Sequence, residues 1–408
     1  MSRSVYVSGV GMIKFSKYLD RGIKALTGEA LDLVLKDSSL AVGDIQAAWF
    51  SNTAWGYMAN QHSIRGQVAL TVHGIDGIPI TNVENACASG STAMYMGWTA
   101  IQAGLFDCVL AIGVEKLYDA DKMKSMGAFI TGSDIEVTTE MLIRFHEEEQ
   151  KRMKESGAGE VKPHSAFMDF YSMGARKHME KYGTTQRQFA VIAAKAHNNS
   201  ALNPLAQYTF PMTVDEVMAD REVSYPLTRA MCAPIGDGAA AVILCSEEFM
   251  KMKGLKKRVR IAASVLASGN RYGESTITAR CAEQAYAAAG VGPSDIDVVE
   301  VHDATAFGEL HQVEQLGFCK IGEGGPFVES GATALTGKTP VNPSGGLIAR
   351  GHPVGASGLA QIYELSMHLR GEAGKRQVEG AKIAMAENGG GFLGEAEAAM
   401  AIHILEKV

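Results

Sequence analysis

Apolar and polar positions along the chain follow the two-residue period of strands in some stretches and the 3.6-residue period of helices in others. The pattern predicts strands over Val5–Val10, Ala47–Phe50, Cys108–Val114, Val259–Ser268 and Ala396–Leu405, and helices over Ile23–Leu35, Gln61–Val72 and Thr276–Ala289. The run Cys232–Leu244 leads into a further core strand. Strands that alternate with helices in this way are typical of an α/β fold.

The middle of the chain, residues 117–223, has a different character. It is rich in methionine and charged residues, and its periodicity predicts helices over Thr138–Lys154, Phe167–Tyr182 and Thr185–Asn198. We interpret this region as a cap that is inserted into the α/β core.

The second half of the chain repeats the order of the first. The strand at Val259 corresponds to the strand at Val5, and the run from Asp295 corresponds to the run from Asp44, at separations of 254 and 251 residues. Loop insertions between duplicated halves produce such a drift. We predict two similar α/β units, residues 1–255 with the inserted cap and residues 256–408.

One cysteine stands at a position with chemical meaning. In the stretch Asn82–Ile101, Cys87 comes directly before a run of small residues that predicts a buried helix. Unpaired N–H groups and the helix dipole stabilise a thiolate there, so we expect a thiol pKa that falls toward neutrality and a candidate nucleophile. The alternative is that Cys87 is a small buried hydrophobe.

Two histidines accompany this cysteine. His302 directly follows an apolar strand, the usual place for functional groups in α/β sheets, and His352 lies in a glycine-rich turn. A histidine in such a position, taken alone, is more often a solvated loop residue than a functional one. His352 corresponds to Cys87 in the other half, 265 residues away, so the duplication predicts that the two meet on equivalent helix N-termini.

Composition narrows the classes of protein. A formal net charge of −7 over 408 residues argues against nucleic-acid binding. The six cysteines form no C-x-x-C pairs, which indicates neither a disulfide framework nor a metal site and favours the reducing cytoplasm. No apolar run reaches the ~18 residues of a membrane span, and the N-terminus lacks the features of a signal peptide. We expect a soluble cytoplasmic protein.

The motifs resemble one known family. V-E-N-A-C-A-S-G-S-T-A around Cys87, G-V-E-K, D-G-A-A-A-V-I-L, H-D-A at His302 and N-P-S-G-G-L-I-A-R-G-H-P-V-G-A-S-G around His352 are similar to the thiolase superfamily, in particular the sterol-carrier-protein type. The resemblance spans essentially the whole chain. It implies a duplicated, five-layered αβαβα fold, a homodimer and chemistry on acyl-coenzyme A thioesters, and we expect no appended sterol-carrier domain.

The resemblance also implies roles for individual residues. Cys87 is the nucleophile that becomes acylated, His352 activates it, and both histidines donate to the thioester oxygen of the substrate. The N–H groups of Cys87 and of a glycine in the run Asn388, Gly389 and Gly390 form a second oxyanion hole. Coenzyme A is a co-substrate, and no bound cofactor or metal is expected.

The chain differs from the family at the residue used for proton transfer. Thiolases supply a second cysteine for proton transfer, but this chain has Glu387 at one of the two usual positions and Ala304 at the other. We expect the carboxyl of Glu387 to replace the missing thiol. The alternative is that Glu387 only accepts hydrogen bonds and that His302 or Asp303 handles the proton.

These observations favour thiolytic cleavage of a 3-oxoacyl-CoA. The alternatives are a Claisen-type acyltransferase, a retro-aldolase of the thiolase-like group, and a non-catalytic scaffold that binds acyl-CoA. Relatives of this kind often pair with a small OB-fold, zinc-ribbon subunit, which makes such a partner a further expectation. The apolar residues of the cap are candidates for a pocket that accepts a bulky or aromatic acyl group, with packing in the core as the alternative: Phe167, Met168, Phe170, Tyr171 and Met173.

Overall fold

The computed structural model describes residues 3–136, 140, 143–144, 147, 150–151, 166–256, 259–270, 276–393 and 396–408. Its strands are β1 (Val5–Met12), β2 (Ala47–Ser51), β3 (Ile80–Val83), β4 (Cys108–Glu115), β5 (Glu222–Ser224), β6 (Leu227–Thr228), β7 (Gly238–Ser246), β8 (Val259–Ser268), β9 (Val298–Glu300), β10 (Ile383–Leu393) and β11 (Ala396–Lys407). Its α-helices are α1 (Ile23–Ser38), α2 (Trp55–Ala59), α3 (Arg65–Leu70), α4 (Ser89–Gln102), α5 (Lys122–Ile130), α6 (Ala166–Tyr182), α7 (Gln186–Ser200), α8 (Val214–Ala219), α9 (Glu247–Lys253), α10 (Ile277–Ala289), α11 (Ala306–Gln315), α12 (Gly324–Glu329), α13 (Gly346–Arg350) and α14 (Ser357–Arg370).

Most predicted elements are present at nearly the predicted positions. The helix expected over Gln61–Val72 is shorter, because Ile64 has left-handed backbone angles at its start and the chain tightens into a 3₁₀ turn after Leu70. The helix predicted over Thr138–Lys154 falls mostly outside the described residues.

A nine-stranded sheet runs through the molecule in the order β3-β2-β4-β7-β1-β8-β11-β10-β9. Its two halves join where β1 and β8 pair antiparallel, at Tyr6 with Arg260 and Val7 with Val259. When the strands are read outward from this junction, both halves have the same order. Val341 forms a parallel bridge with Val299 of β9, at the place that β3 holds beside β2 in the first half.

Helices fill the space between and outside the two halves of the sheet. Apolar side chains of α4 and α14 share one core with strands of both halves. On the outer faces, α1 covers the first half and α10 covers the second, each over a core of its own. The layers are therefore helix, sheet, helix, sheet and helix, as expected, with α4 and α14 in the centre.

The described helices of the predicted cap, α5 to α8, lie outside these layers. Helix α7 packs with α13 and α11 around a separate apolar core that includes Phe189, Ile192 and Leu310. Helices α5 and α6 contact each other, and α6 contacts α11 and the β5–β6 hairpin.

None of the described helices has the length and the apolar composition that a membrane crossing requires. All six cysteines are free thiols.

Candidate active site

A cavity of about 190 Å³ opens where the two halves of the molecule and the cap meet. Cys87, His302 and His352 all line it. Their sulfur and ring-nitrogen atoms lie within 4.8 Å of one another. The predicted meeting of Cys87 and His352 is therefore present in the structure, and His302 lies beside them.

Cys87 is held by a tight turn two residues before α4. Ala86 has a φ angle of 46°, a left-handed value that costs a residue with a Cβ about 1–2 kcal/mol. Ser89 fixes the turn, because its Oγ accepts from the N–H of Asn85 at 2.8 Å and donates to the carbonyl of Ala86. The strained turn directs the thiol into the cavity.

The resting state of the thiol differs from the expectation. Burial raises the pKa of Cys87 to about 12, with smaller contributions from the charges of Glu115 and Glu84. The N–H groups of Gly391 and of Cys87 itself donate to Sγ and oppose this rise. The expected fall of the pKa toward neutrality was wrong, because the helix N-terminus does not compensate for the loss of solvent around Sγ.

His352 is placed as a base for this thiol. Its Nε2 lies 3.2 Å from Cys87 Sγ, and its Nδ1 lies 2.7 Å from Ser357 Oγ. Ser357 donates its only hydroxyl proton to the carbonyl of Pro353, so its oxygen accepts from Nδ1–H of His352. This leaves the lone pair of Nε2 facing the thiol. Burial, followed by His302 and Arg350, holds the pKa of His352 well below its usual value, so the imidazole is neutral.

His302 is placed as a donor. The side-chain amide of Asn388 lies 3.0 Å from Nδ1 of His302, and its orientation is set by Ser91, which donates to Asn388 Oδ1 at 2.9 Å. Nδ1 therefore accepts, and the ring proton resides on Nε2. Burial, with Arg350 second, lowers the pKa of His302 to about 3. A neutral N–H donor results, which suits a developing negative charge on oxygen.

The glycine run lies at the cavity, and the residue that follows the predicted run donates to the thiol. Gly389, Gly390 and Gly391 line the cavity, whereas the side chain of Asn388 holds His302. The N–H that reaches Cys87 Sγ belongs to Gly391. A side chain at Gly390 is impossible, since its Cβ would lie 2.5 Å from the backbone nitrogen of Ala88.

Glu387 is fully buried behind the site. Its Oε2 accepts from the backbone N–H of His302 at 2.8 Å, and burial holds its pKa well above its usual value. Among the described residues Glu387 is not part of the cavity lining, so its carboxyl is not brought to the reacting atoms. Ala304 does line the cavity and supplies only a methyl group.

A further carboxyl, which no sequence motif indicates, does line the cavity, that of Glu397. Its Oε1 accepts from Gln312 at 2.8 Å and its Oε2 from Thr278 at 3.4 Å. Burial raises the pKa of Glu397 to about 7. Pairing of β10 with β11 sets Glu397 opposite Phe392, just beyond the glycine run.

The cap forms the apolar wall of the cavity. Of the five cap residues named as pocket candidates, Phe167, Met168 and Tyr171 line it. Phe170 supports the wall by stacking on Phe392, with ring centroids 5.4 Å apart. Two cations, Arg221 and Arg229, also line the cavity. Most of the remaining lining is apolar: Met126, Phe129, Tyr208, Val223, Cys232, Ala233, Pro234 and Ile235.

Family models cover most of the chain. The thiolase N-terminal domain matches residues 5–225, and the thiolase C-terminal domain-like model matches residues 264–406. The chain belongs to the thiolase family. It is thus an acyltransferase enzyme, as the sequence motifs predicted.

Curated relatives of this thiolase span nearly all of it. It is 39% identical to an acetyl-CoA acetyltransferase of Methanothermobacter thermautotrophicus, over 99% of the chain and 100% of the relative. It is 35% identical to the benzoylsuccinyl-CoA thiolase subunit BbsB of Thauera aromatica, over 96% of each chain. Sterol carrier protein 2 of Bos taurus is 38% identical over 94% of this chain and 69% of that protein.

Solved structures share the fold of this thiolase. Human mitochondrial 3-ketoacyl-CoA thiolase superposes with a TM-score of 0.71 at 17% identity, over 100% of this chain and 99% of the other. The Ltp2-ChsH2(DUF35) aldolase superposes with a TM-score of 0.76 at 20% identity, over 99% and 98%. The α/β thiolase fold predicted from the sequence is confirmed.

Proposed function

We propose that this thiolase cleaves a 3-oxoacyl-CoA with free coenzyme A through an acyl-enzyme on Cys87. The observation that carries the proposal is the contact of Cys87 Sγ with Nε2 of His352 at 3.2 Å. A base in contact with a nucleophile, itself oriented by a third group, is the arrangement that covalent acyl transfer requires.

In the first half-reaction the thiol adds to the keto carbon of the substrate, and its proton passes to Nε2 of His352. In this proposal the N–H groups of Cys87 and Gly391, which donate to the thiol sulfur in the resting site, donate to the oxyanion once it forms. The bond between the keto carbon and the α carbon then breaks, and its electron pair leaves as the enolate of an acyl-CoA. Nε2–H of His302 donates to the enolate oxygen, and the α carbon takes up a proton.

In the second half-reaction coenzyme A attacks the thioester on Cys87. The same two N–H groups receive the second oxyanion, and Cys87 leaves as a thiolate that regains its proton from His352. The pair Cys87 and His352 thus returns to the neutral state that burial favours in the free enzyme.

We propose a bulky or aromatic acyl group for the substrate. The support is the wall formed by Phe167, Met168 and Tyr171, together with the likeness to a benzoylsuccinyl-CoA thiolase subunit. Aromatic rings pack favourably against such side chains.

The resemblance to thiolases supports a homodimer and a small OB-fold, zinc-ribbon partner subunit, and the six cysteines without C-x-x-C pairs support a reducing cytoplasm. One structural neighbour carries a DUF35 partner in its name. Light scattering of the purified chain measures its mass and tests the homodimer. Co-purification with a co-expressed DUF35 protein tests the small partner subunit.

Aldol cleavage is the second candidate reaction for this fold. It needs no acyl-enzyme, so it gives no role to a thiol that contacts His352. The likeness to an aldolase at 20% identity shows the fold alone.

Intact-mass spectrometry tests the proposal directly. The protein is mixed with acetoacetyl-CoA, 3-oxooctanoyl-CoA or benzoylacetyl-CoA, with and without coenzyme A. We expect a mass increase equal to the acyl group, located on Cys87, that disappears when coenzyme A is added.

Two cysteine variants provide the control for this measurement. Cys319→Ser alters a partly exposed thiol outside the cavity lining and should keep the adduct, whereas Cys87→Ser should lose it. An adduct that persists on another residue in Cys87→Ser would remove Cys87 from the role.

A further inference from the structure

Cleavage of the carbon–carbon bond leaves one proton unassigned. The enolate that departs in the first half-reaction must be protonated at its α carbon, and the reverse condensation must remove that proton again. The thiol proton of Cys87 is already held by His352, and His302 uses its N–H to hold the enolate oxygen. A further group at the cavity must therefore exchange the proton.

The cavity offers few groups of the right kind. Glu397 is the carboxyl among the described lining residues, and the other lining groups with exchangeable protons near neutrality are already in use. Cys232 also lines the cavity, but its thiol donates to the carbonyl of Thr228 at 3.4 Å, and burial raises its pKa to about 12. Tyr171 is a phenol whose pKa burial holds well above its usual value.

The carboxyl of Glu397 also lies beside the glycine run that contacts Cys87. A Cβ built on Gly389 would come within 3.1 Å of its Oε1, so the missing side chain at Gly389 leaves the carboxyl room beside the glycine run. Gly391, whose N–H reaches Cys87 Sγ, is two residues further along the same strand, about 7 Å at the rise of a β-strand. The carboxyl and the thiol therefore face the same space from neighbouring positions.

Two hydrogen bonds hold this carboxyl without neutralising it. Gln312 on α11 and Thr278 on α10 each donate to one of its oxygens, and neither is a cation. In the part of the chain that the structure describes, the charged or ionisable groups that face it are Glu387 on β10 and Tyr171 on α6. Since the described residues give it no positive partner, this buried carboxyl readily takes up a proton, as a general acid must.

We propose that Glu397 is the catalytic acid and base that exchanges the α-carbon proton of the acyl-CoA enolate. The inference rests on the thiolase reaction proposed above. In cleavage, the Glu397 carboxyl gives its proton to the α carbon as the bond to the keto carbon breaks. Coenzyme A then binds and gives its thiol proton to the Glu397 carboxylate as its sulfur attacks the acyl-enzyme, so every proton is returned. Glu387 keeps a positioning role through the N–H of His302.

Hydrogen exchange at the α carbon tests this role separately from acyl transfer. Acetyl-CoA is incubated in D₂O with the wild type, and incorporation of deuterium into its methyl group is followed by mass spectrometry. We expect Glu397→Gln to lower the exchange rate by at least ~10²-fold, the lower range for a positioned acid or base. Glutamine keeps the size of the side chain and an acceptor for Gln312.

Alkylation and acylation of Cys87 are measured in parallel with the exchange. Glu397→Gln should still be alkylated by iodoacetamide at Cys87 at the wild-type rate, because the contact with His352 is unchanged. Cys87→Ala should lose the acyl-enzyme yet keep α-carbon exchange. Glu379→Gln, which changes an exposed glutamate in the same half, should behave as wild type in both assays.

The outcomes separate the two proposals. Wild-type exchange in Glu397→Gln, or a loss of exchange in Glu387→Gln with none in Glu397→Gln, would overturn the role of Glu397 and leave the Cys87 acyl-enzyme standing. Failure of the wild type to form an acyl-enzyme with any of the three 3-oxoacyl-CoAs would instead overturn the thiolase reaction itself.

Discussion

At the scale of single residues, burial determines the protonation state of Cys87 and His352 in the free enzyme. A rise of the Cys87 pKa from its usual 9.0 to about 12 corresponds to about 4 kcal/mol. A helix N-terminus offers only about 0.3–1 kcal/mol to an anion, so the local argument from the sequence loses to desolvation. The thiol and His352 therefore rest as a neutral pair, and the proton moves when the substrate arrives.

The tautomer of His352 gives a first prediction. Ser357→Ala removes the acceptor of Nδ1–H, so the ring is no longer held with its Nε2 lone pair toward the thiol. We expect kcat to fall about tenfold, with KM little changed, as for loss of a hydrogen bond of about 1.4 kcal/mol. Ser366→Ala is the matched control, since this buried serine of α14 has no hydrogen-bond partner among the described residues. Equal effects of the two changes would argue against a fixed tautomer.

The pKa of Glu397 gives a second prediction, on stability. The folded protein holds this proton up to a pKa of about 7, whereas an unfolded chain releases it near the usual 4.5. Ionisation therefore favours the unfolded state increasingly from pH 4.5 to about 7, and fully above it. Glu397→Gln should raise the free energy of unfolding by on the order of 3 kcal/mol at pH 8 and leave it unchanged at pH 4. Urea unfolding at several pH values measures this. A difference that does not vary with pH would contradict the raised pKa.

At the scale of elements, periodicity predicts single strands and helices. It does not predict side-chain positions that depend on how two strands pair. The strand at Val5 and the helix at Ile23 were predicted because their apolar faces are continuous in sequence. The role of Glu397 is not predictable from the sequence, because its place in the cavity depends on the register of β10 with β11, which pairs it with Phe392. Nothing in the local sequence of a hairpin strand fixes which polar side chain faces a cavity built by other elements.

The contact of α6 with β10 gives a third prediction. Phe392 packs against Phe167, Phe170 and Tyr171, with ring centroids 5.2 to 5.6 Å apart, and such pairs contribute ~0.5–1.5 kcal/mol each beyond burial. Phe392→Ala should loosen α6 over the cavity. We expect the KM for benzoylacetyl-CoA to rise about tenfold, on the scale of 1.4 kcal/mol, and the KM for acetoacetyl-CoA to rise less.

Limited proteolysis locates the effect of that change, with faster cleavage expected within 166–182. Leu393→Ala changes the next side chain of the strand, which is half exposed, and should leave both KM values unaltered. Equal rises in both KM values for Phe392→Ala would mean that the wall does not select the acyl group.

At the scale of the whole molecule, the duplication brings the two catalytic turns together through small residues. A Cβ on Gly90 would lie 3.1 Å from the carbonyl of Gly355, and one on Gly113 would lie 2.1 Å from the same oxygen. Helix α4 and strand β4 of the first half can therefore meet the turn before α14 of the second half only at glycines. The sequence showed both turns and their spacing, but this close approach depends on backbone contacts between segments more than 200 residues apart.

The last prediction concerns this contact. Gly358 lies in the first turn of α14, where an added Cβ would come within 2.3 Å of Ser91 Oγ and 2.5 Å of Asn388 Oδ1. Gly358→Ala must push α14 away from α4, or displace Ser91 and Asn388, which orient His302. We expect a loss of about 1–3 kcal/mol in the free energy of unfolding, as for overpacking elsewhere.

Activity should fall further than stability in this variant, because the same shift lengthens the contact between Cys87 and His352. Acylation of Cys87 by a 3-oxoacyl-CoA should slow at least ~10²-fold at temperatures where the protein remains folded, the scale set by misplaced reacting groups. Gly43→Ala, at a glycine with open space around it, is the control and should change neither quantity. Normal acylation in a destabilised Gly358→Ala protein would show that the two turns tolerate separation, and that the packing of α4 on α14 serves the fold alone.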